Sequence, residues 1–157
     1  MSLLERIVAA FDRDQVPYAL VGGLAVALHG APRGTMDVDC IIRHTEADFI
    51  ACERALQSIG LVSRLPVTAR EVFQFRAEYI ARRNLIAWSF INLSHPMEVV
   101  DVIITHDLAT LSTVSKRFRL GKIKVLSPRD LIEMKRLSGR PQDIEDIKML
   151  EALLEET

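Results

Sequence analysis

Two strand-like segments lie close together near the middle of the chain. Residues 85–93 and 98–104 are rich in β-branched and other apolar side chains, and only the turn Ser94-His95-Pro96 separates them. A connection this short joins antiparallel neighbours, because a parallel crossover needs about a dozen residues or more. A sheet that contains both segments is therefore not all parallel.

The remaining pattern alternates between helices and strands. Helices are predicted from Ser2, over about Leu24 to His29, from Thr45 to Gly60, from Thr68 to about Ile80, from about Asp107, from Ser127 to Ser138, and over the last residues of the chain. Further strands are predicted at Tyr18 to Val21 and Asp37 to Ile42, and Phe118 to Leu126 is strand-like, either one strand or a hairpin bent at Gly121. This order predicts one α/β or α+β domain with a mixed sheet.

The composition is that of an ordinary globular domain. The chain has 157 residues, of which 49% are hydrophobic and 26% charged, and this length suits a single domain. A formal net charge of −1 gives no overall reason to expect nucleic acid or an acidic membrane as a partner. There is no signal-peptide pattern and no apolar run of the roughly 20 residues that a membrane helix needs. Neither the four histidines nor Cys40 and Cys52 stand at metal-ligand spacing, and we expect reduced thiols in a cytoplasmic protein.

Asp37 and Asp39 stand two residues apart at the start of a predicted strand. Because side chains alternate along a strand, both carboxylates project from the same face. Their mutual repulsion costs stability unless a cation lies between them. Magnesium accepts such oxygen ligands, usually one or two carboxylates together with phosphates. Asp-x-Asp pairs are also common on edge strands and in turns, so the pair alone leaves both interpretations open.

Asp101 lies inside an otherwise almost wholly apolar segment. An aspartate in such a strand usually has a hydrogen-bond partner or a metal. If its strand neighbours that of Asp39, the three carboxylates converge and form the acidic half of a two-metal phosphoryl-transfer site. The alternative is a structural aspartate whose hydrogen bonds are satisfied within the protein.

Three further features have a functional and a structural interpretation. Gly22-Gly23, between an apolar strand and a helix, lets backbone N–H groups approach a phosphate, but a tight turn needs the same residues. Arg33, in Arg33-Gly34-Thr35, clamps a phosphate or pairs with Asp37, or it lies in a surface loop. Lys135, on the helix that begins at Ser127, reaches a triphosphate or lies on a solvated face.

Together these residues resemble the nucleotidyltransferase superfamily related to DNA polymerase β. The stretch GGLAVALHGAPRGTMDVD, followed by Asp101 on a later strand, is much more specific than any of its parts. The tail LSPRDLIEMKRLSGRPQDIEDIKMLEALL resembles the C-terminal part of small bacterial and archaeal members. These include the nucleotidyltransferase toxins of abortive-infection toxin–antitoxin systems. The resemblance covers most of the chain and is weakest over residues 61–90.

The resemblance implies a nucleotidyltransferase fold over a single domain, residues 1–157, with a short mixed sheet and the helices of about 128–155 packed on it. It implies magnesium-dependent transfer of a nucleoside monophosphate from a nucleoside triphosphate, such as ATP, to a hydroxyl of RNA, protein or a small molecule. Asp37 and Asp39 would bind two magnesium ions, and Asp101 would be the third carboxylate, a ligand or base. The expected nucleotide-binding residues are Gly22, Gly23, Arg33, Thr35 and Lys135.

The chain departs from the family pattern in two ways. Many members have Gly-Ser where this chain has Gly22-Gly23, and many have a longer C-terminal region that binds the acceptor. Acceptor binding is therefore expected to need a protein partner, a second copy of the chain or a small substrate. Two other functions stay open, a nucleotide-binding or toxin–antitoxin module without catalysis and a metal-dependent hydrolase.

Overall fold

The computed structural model describes residues 1–31, 37–119 and 121–156. Its helices are α1 (Leu3–Arg13), α2 (Gly22–Leu28), α3 (Glu46–Ser58), α4 (Ala69–Gln74), α5 (Arg76–Arg83), α6 (Pro128–Ser138) and α7 (Pro141–Glu155). Its strands are β1 (Tyr18–Val21), β2 (Val38–Ile42), β3 (Leu61–Ser63), β4 (Ala87–Asn92), β5 (His95–Ile103), β6 (Thr113–Phe118) and β7 (Gly121–Leu126). Among these helices, none has the length and apolar character needed to cross a bilayer.

The strands form one mixed sheet in the order β3-β4-β5-β2-β1-β7-β6. β4 and β5 pair antiparallel, as the short turn between them predicts. β2 is parallel to β5, and β1 is parallel to β7, whereas the remaining neighbours are antiparallel. The prediction of a mixed sheet within an α/β chain is confirmed.

The two faces of the sheet have different roles. On one face, Phe49 of α3 stacks on Trp88 with ring centroids 5.8 Å apart, and Phe11 of α1 contacts Tyr18 at 5.3 Å. These contacts bury the aromatic core, and both cysteines are buried as free thiols. By strand alternation, the opposite face carries Asp39 and the residues paired with it. Asp39 and the residues paired with it therefore lie on the face of the sheet opposite α1 and α3.

Local signals place the ends of several helices correctly. Ser2, Thr45, Thr68 and Ser127 each accept a backbone N–H of the following turn, which satisfies a donor that the helix leaves unpaired. Pro128 occupies the first turn of α6, where its missing N–H costs nothing. The C-terminal helices α6 and α7 contact each other, and α7 also contacts α2.

Two predicted elements differ from the structure. The helix predicted from about Asp107 is a single 3-10 turn, Leu108–Thr110, because Asp107 caps one turn and the β-branched residues after it enter β6. The hairpin predicted near Gly121 is present, since β7 pairs antiparallel with β6, but its first strand already begins at Thr113. The helix predicted from Thr68 to about Ile80 is divided at Phe75 into α4 and α5.

Candidate active site

The parallel pairing of β2 and β5 places Asp39 directly opposite Asp101. In-register neighbours project from the same face of a sheet, so the two carboxylates are close together. Both line a cavity of about 880 Å³, and Asp37, exposed just before β2, lines it as well. The three acidic residues of the sequence analysis are thus brought to one site by a contact between strands that are far apart in the chain.

Gly22 packs against the Asp39 carboxylate. A Cβ atom added at Gly22 would lie 2.2 Å from Asp39 Oδ2, and the backbone of Gly22 has a φ of +70°. Both the space and the left-handed conformation therefore require glycine. Gly22 begins α2 and lines the cavity, whereas Gly23 is buried in the first turn of that helix. Because Gly22 has no side chain, the start of α2 packs directly against the carboxylate of Asp39.

The environment of Asp39 disfavours its charged form. The pKa of Asp39 is raised from 3.8 to about 6, mainly by burial and also by the neighbouring carboxylates of Asp101 and Asp37. The positive charges of Lys135 and Arg140 act in the opposite direction. This cluster of like charges is a cost to folding that a bound cation would reduce.

This cost leads to a prediction about pH. Folded Asp39 binds its proton more tightly than the unfolded chain does, so its stabilising contribution is present below pH 3.8 and is lost as the pH rises through about 6. Without divalent cations, the free energy of unfolding of wild type should fall by about 2–3 kcal/mol relative to that of Asp39→Asn across this pH range. Urea unfolding of both proteins in EDTA measures the difference. Parallel pH dependences would contradict the raised pKa.

Asp101 has a hydrogen-bond partner on the adjacent strand. Ser89 of β4 lies opposite Asp101 in the antiparallel pairing, and its hydroxyl donates to Asp101 Oδ1 at 2.5 Å. This bond fixes one oxygen of the carboxylate of Asp101, which also lines the cavity. The sequence analysis missed Ser89, because the register of the two strands shifts near Asn92 and a slip of one residue reverses every side chain.

Two cations lie on the other side of the cavity. Lys135 of α6 is buried, not solvated, and its Nζ donates to Asp146 Oδ2 at 2.9 Å. Arg140, at the start of α7, donates from Nε to Asp143 Oδ2 at 3.0 Å, and its side chain is largely exposed. Both residues line the cavity that holds Asp39. Arg140 was not among the predicted residues, although an arginine just before a Pro-initiated helix was a usable signal.

A sequence profile for a family described as "Nucleotidyltransferase of unknown function (DUF6036)" matches residues 1–156. The chain belongs to this nucleotidyltransferase family. The match spans nearly the whole chain, including every residue that lines the cavity. It confirms the resemblance to the nucleotidyltransferase superfamily. No curated protein sequence matches the chain significantly.

Solved structures with a similar fold have low sequence identity to this family member. An antigenic nucleotidyltransferase-like protein from Paracoccidioides brasiliensis has 22% identity and a TM-score of 0.57, over 96% of this chain and 75% of that one. ANT(2'')-Ia, in complex with adenylyl-2''-tobramycin, has 14% identity and a TM-score of 0.62, over 97% and 87%. Lincomycin-bound LnuA, a lincosamide antibiotic adenylyltransferase, has 16% identity and a TM-score of 0.60, over 96% of both chains. These similarities confirm the nucleotidyltransferase fold.

The rest of the cavity wall is mixed in character. Its apolar part consists of Val21, Ile86, Ile103, Leu131, Met134 and Leu137. Thr105 and His106 also line it, with Thr105 Oγ1 2.9 Å from His106 Nδ1, and burial lowers the pKa of His106. The sequence analysis gave His106 no role, because it has no partner at metal-ligand spacing. Arg33 and Thr35, which were predicted to bind nucleotide, lie outside the described residues.

Proposed function

We propose that this chain transfers a nucleoside monophosphate from a nucleoside triphosphate to an acceptor hydroxyl, with magnesium as cofactor, in the cytoplasm. The observation that carries the proposal is the in-register pair Asp39 and Asp101, with Asp39 against Gly22, in a cavity that Lys135 and Arg140 also line. This arrangement offers carboxylates for metal ions and cations for phosphates. Membership of a nucleotidyltransferase family supports the same reaction.

The donor set fits magnesium. Asp37, Asp39 and Asp101 would hold two ions, since carboxylate oxygens are its preferred ligands and their mutual repulsion raises the pKa of Asp39. Across the described residues, no group of three or more His, Cys, Asp or Glu side chains is arranged to hold a metal ion by itself. The proposal therefore assigns the remaining ligands to substrate phosphates and water, as in the usual magnesium site. When bound, the ions would neutralise charge on the attacking and leaving oxygens.

Asp101 is the proposed general base. The acceptor oxygen attacks the α-phosphorus and forms a new P–O bond, while the bond from that phosphorus to pyrophosphate breaks. The acceptor proton passes to the carboxylate of Asp101, whose Oδ1 accepts a hydrogen bond from Ser89. The Ser89 hydroxyl thus orients the base without itself reacting.

The triphosphate is proposed to lie between the carboxylates and α6–α7. Lys135 and Arg140 would contact phosphate oxygens, since both line this side of the cavity. Backbone N–H groups at Gly22 and Gly23 would contribute further, as would Arg33 and Thr35 from the segment before Asp37. These contacts compensate the negative charge that a triphosphate brings into an acidic site.

The acceptor is proposed only by class, a hydroxyl of RNA, protein or a small molecule. The antibiotic adenylyltransferase LnuA shares the fold, which keeps small hydroxylated acceptors among the candidates. Membership of a toxin–antitoxin pair and assembly with a partner or a second copy are further proposals. A catalytically inactive module and a metal-dependent hydrolase are outcomes that the following experiment distinguishes.

The deciding experiment is calorimetric titration of ATP, CTP, GTP and UTP, with and without magnesium. We expect binding of at least one nucleotide that needs magnesium and is lost in the double variant Asp37→Asn/Asp39→Asn. Glu145→Gln, on the exposed face of α7 where Glu145 pairs with Lys148, is the matched control and should bind as wild type does.

Product analysis then separates the functions. Pyrophosphate release that depends on an added acceptor supports transfer, and nucleotide breakdown without any acceptor indicates a hydrolase. Magnesium-dependent binding without turnover across RNA, protein and small-molecule acceptors indicates an inactive module. Equal binding by wild type and the double variant would overturn the proposed site.

A further inference from the structure

Lys135 is a buried lysine whose ammonium lies between two aspartates of the next helix. The exposed fractions are 6% for Lys135, 2% for Asp143 and 0% for Asp146. Lys135 Nζ lies 2.9 Å from Asp146 Oδ2 and 3.6 Å from Asp143 Oδ1. Burying an ammonium favours its neutral form unless carboxylates compensate for the lost water. The two aspartates therefore compensate the Lys135 ammonium for its lost water where it lines the cavity.

Asp146 differs from Asp143 in its position relative to the cavity. Asp143 lines the cavity and is shared between Lys135 and Arg140, whereas Asp146 is fully buried and does not line it. Asp146 Oδ1 in turn accepts from Gln142 Nε2 at 3.1 Å. Asp146, supported by Gln142, thus holds the ammonium from outside the cavity, and Lys135 itself lines the cavity where a ligand would bind.

We infer that Asp146 is a positioning residue for the triphosphate, which acts by holding the charged Lys135 ammonium at the cavity wall. The inference rests on the proposed function and extends it to a residue that has no contact with the cavity. An aspartate behind the lysine fixes the ammonium's position without presenting a second negative charge to the phosphates. Rigid support of this kind is what a binding group needs to act at a defined distance.

A purely structural role would be to tie α6 to α7. The structure contains a second tie of this kind, since Arg136 Nη2 of α6 lies 3.1 Å from Glu151 Oε1 of α7. Both of its side chains are about half exposed, and neither lines the cavity. Glu151→Gln therefore removes an α6–α7 ion pair without touching Lys135, and it is the matched control for Asp146→Asn.

The test uses tripolyphosphate, which has the triphosphate chemistry without base or sugar. Calorimetric titration into full-length wild type, Asp146→Asn and Glu151→Gln should show weaker binding by about tenfold or more for Asp146→Asn only, since one charge-assisted contact is loosened. In turnover assays the KM for the nucleoside triphosphate should rise similarly, with kcat changed less than about threefold. Lys135→Met should bind at least as weakly, and adding Asp146→Asn to it should cause little further loss.

Each result decides between the roles. If wild type binds tripolyphosphate or transfers nucleotide and folded Asp146→Asn does so equally well, Asp146 is structural and the inference falls while the proposed function stands. If wild type binds neither tripolyphosphate nor magnesium with any nucleoside triphosphate, both fall. Should Asp146→Asn fail to fold, Lys135→Met/Asp146→Leu replaces the ion pair with apolar packing. Unchanged tripolyphosphate binding by that folded variant would equally overturn the inference.

Discussion

Asp39→Asn is expected to abolish nucleotidyl transfer while the protein stays folded. Asparagine has the shape of aspartate but not its charge, so it would not serve as the metal ligand that we propose Asp39 to be. We expect kcat/KM to fall by about a thousandfold or more, equivalent to roughly 4 kcal/mol of transition-state stabilisation. Pyrophosphate release with the best nucleotide and acceptor measures the loss.

Stability separates a functional role for Asp39 from a structural one. The variant should melt at the same temperature as wild type or higher at neutral pH, because a carboxylate whose pKa is raised to about 6 destabilises the fold once it is charged. Glu133→Gln, which changes an exposed carboxylate of α6 paired with Arg136, is the control and should keep full activity. Full transfer activity in Asp39→Asn would exclude it as a metal ligand.

Gly22→Ala is expected to damage both activity and stability, although it adds only one methyl group. That carbon would lie 2.2 Å from Asp39 Oδ2, a distance at which the carboxylate or the backbone must shift. The positive φ adds a backbone cost of about 1 kcal/mol. We expect kcat/KM to fall by roughly a hundredfold or more, since a shift of about 1 Å at a reacting site has effects of that size.

A second glycine allows the cost of the positive φ to be separated from the cost of the contact with Asp39. Gly60, after α3, also has a positive φ, of +91°, but an added Cβ would meet only Asn92 Nδ2 at 3.8 Å, an ordinary contact. Gly60→Ala should therefore lower the free energy of unfolding by about 1 kcal/mol and leave transfer unchanged. Urea unfolding and the pyrophosphate assay on both variants test the pair. If Gly22→Ala affected activity no more than Gly60→Ala does, the contact with Asp39 would not be needed.

Local signals in the sequence were sufficient for much of the fold. The caps at Thr45 and Ser127 began helices where they were expected, because a capping side chain bonds within its own turn. The short turn after residue 93 was sufficient to predict that β4 and β5 pair antiparallel. Local reasoning failed at Asp107, where a cap was present but ended one 3-10 turn, and the β-branched residues beyond it entered the β6–β7 hairpin.

Local signals in the sequence also predicted part of the candidate site. That Asp37 and Asp39 share a face follows from strand alternation alone, and the importance of Gly22 follows from its place between strand and helix. Lys135 was a candidate from its helix and from the family resemblance, but its burial against Asp146 could not be foreseen from one helix. Ser89 was missed because it reaches the site through its pairing with Asp101 on β5, and Arg140 because only the tertiary structure places it at the cavity.

The sequence by itself determined which residue types were available, where most helices begin, and that Asp37 and Asp39 stand two residues apart at the start of β2. Only the tertiary structure decided that Asp101 lies opposite Asp39, that Ser89 holds it, and that α6 and α7 bring two cations to the same cavity. The physical reason is the range of the interactions. Caps, turns and alternation act within a few residues, whereas strand register and helix packing depend on contacts formed by the whole core.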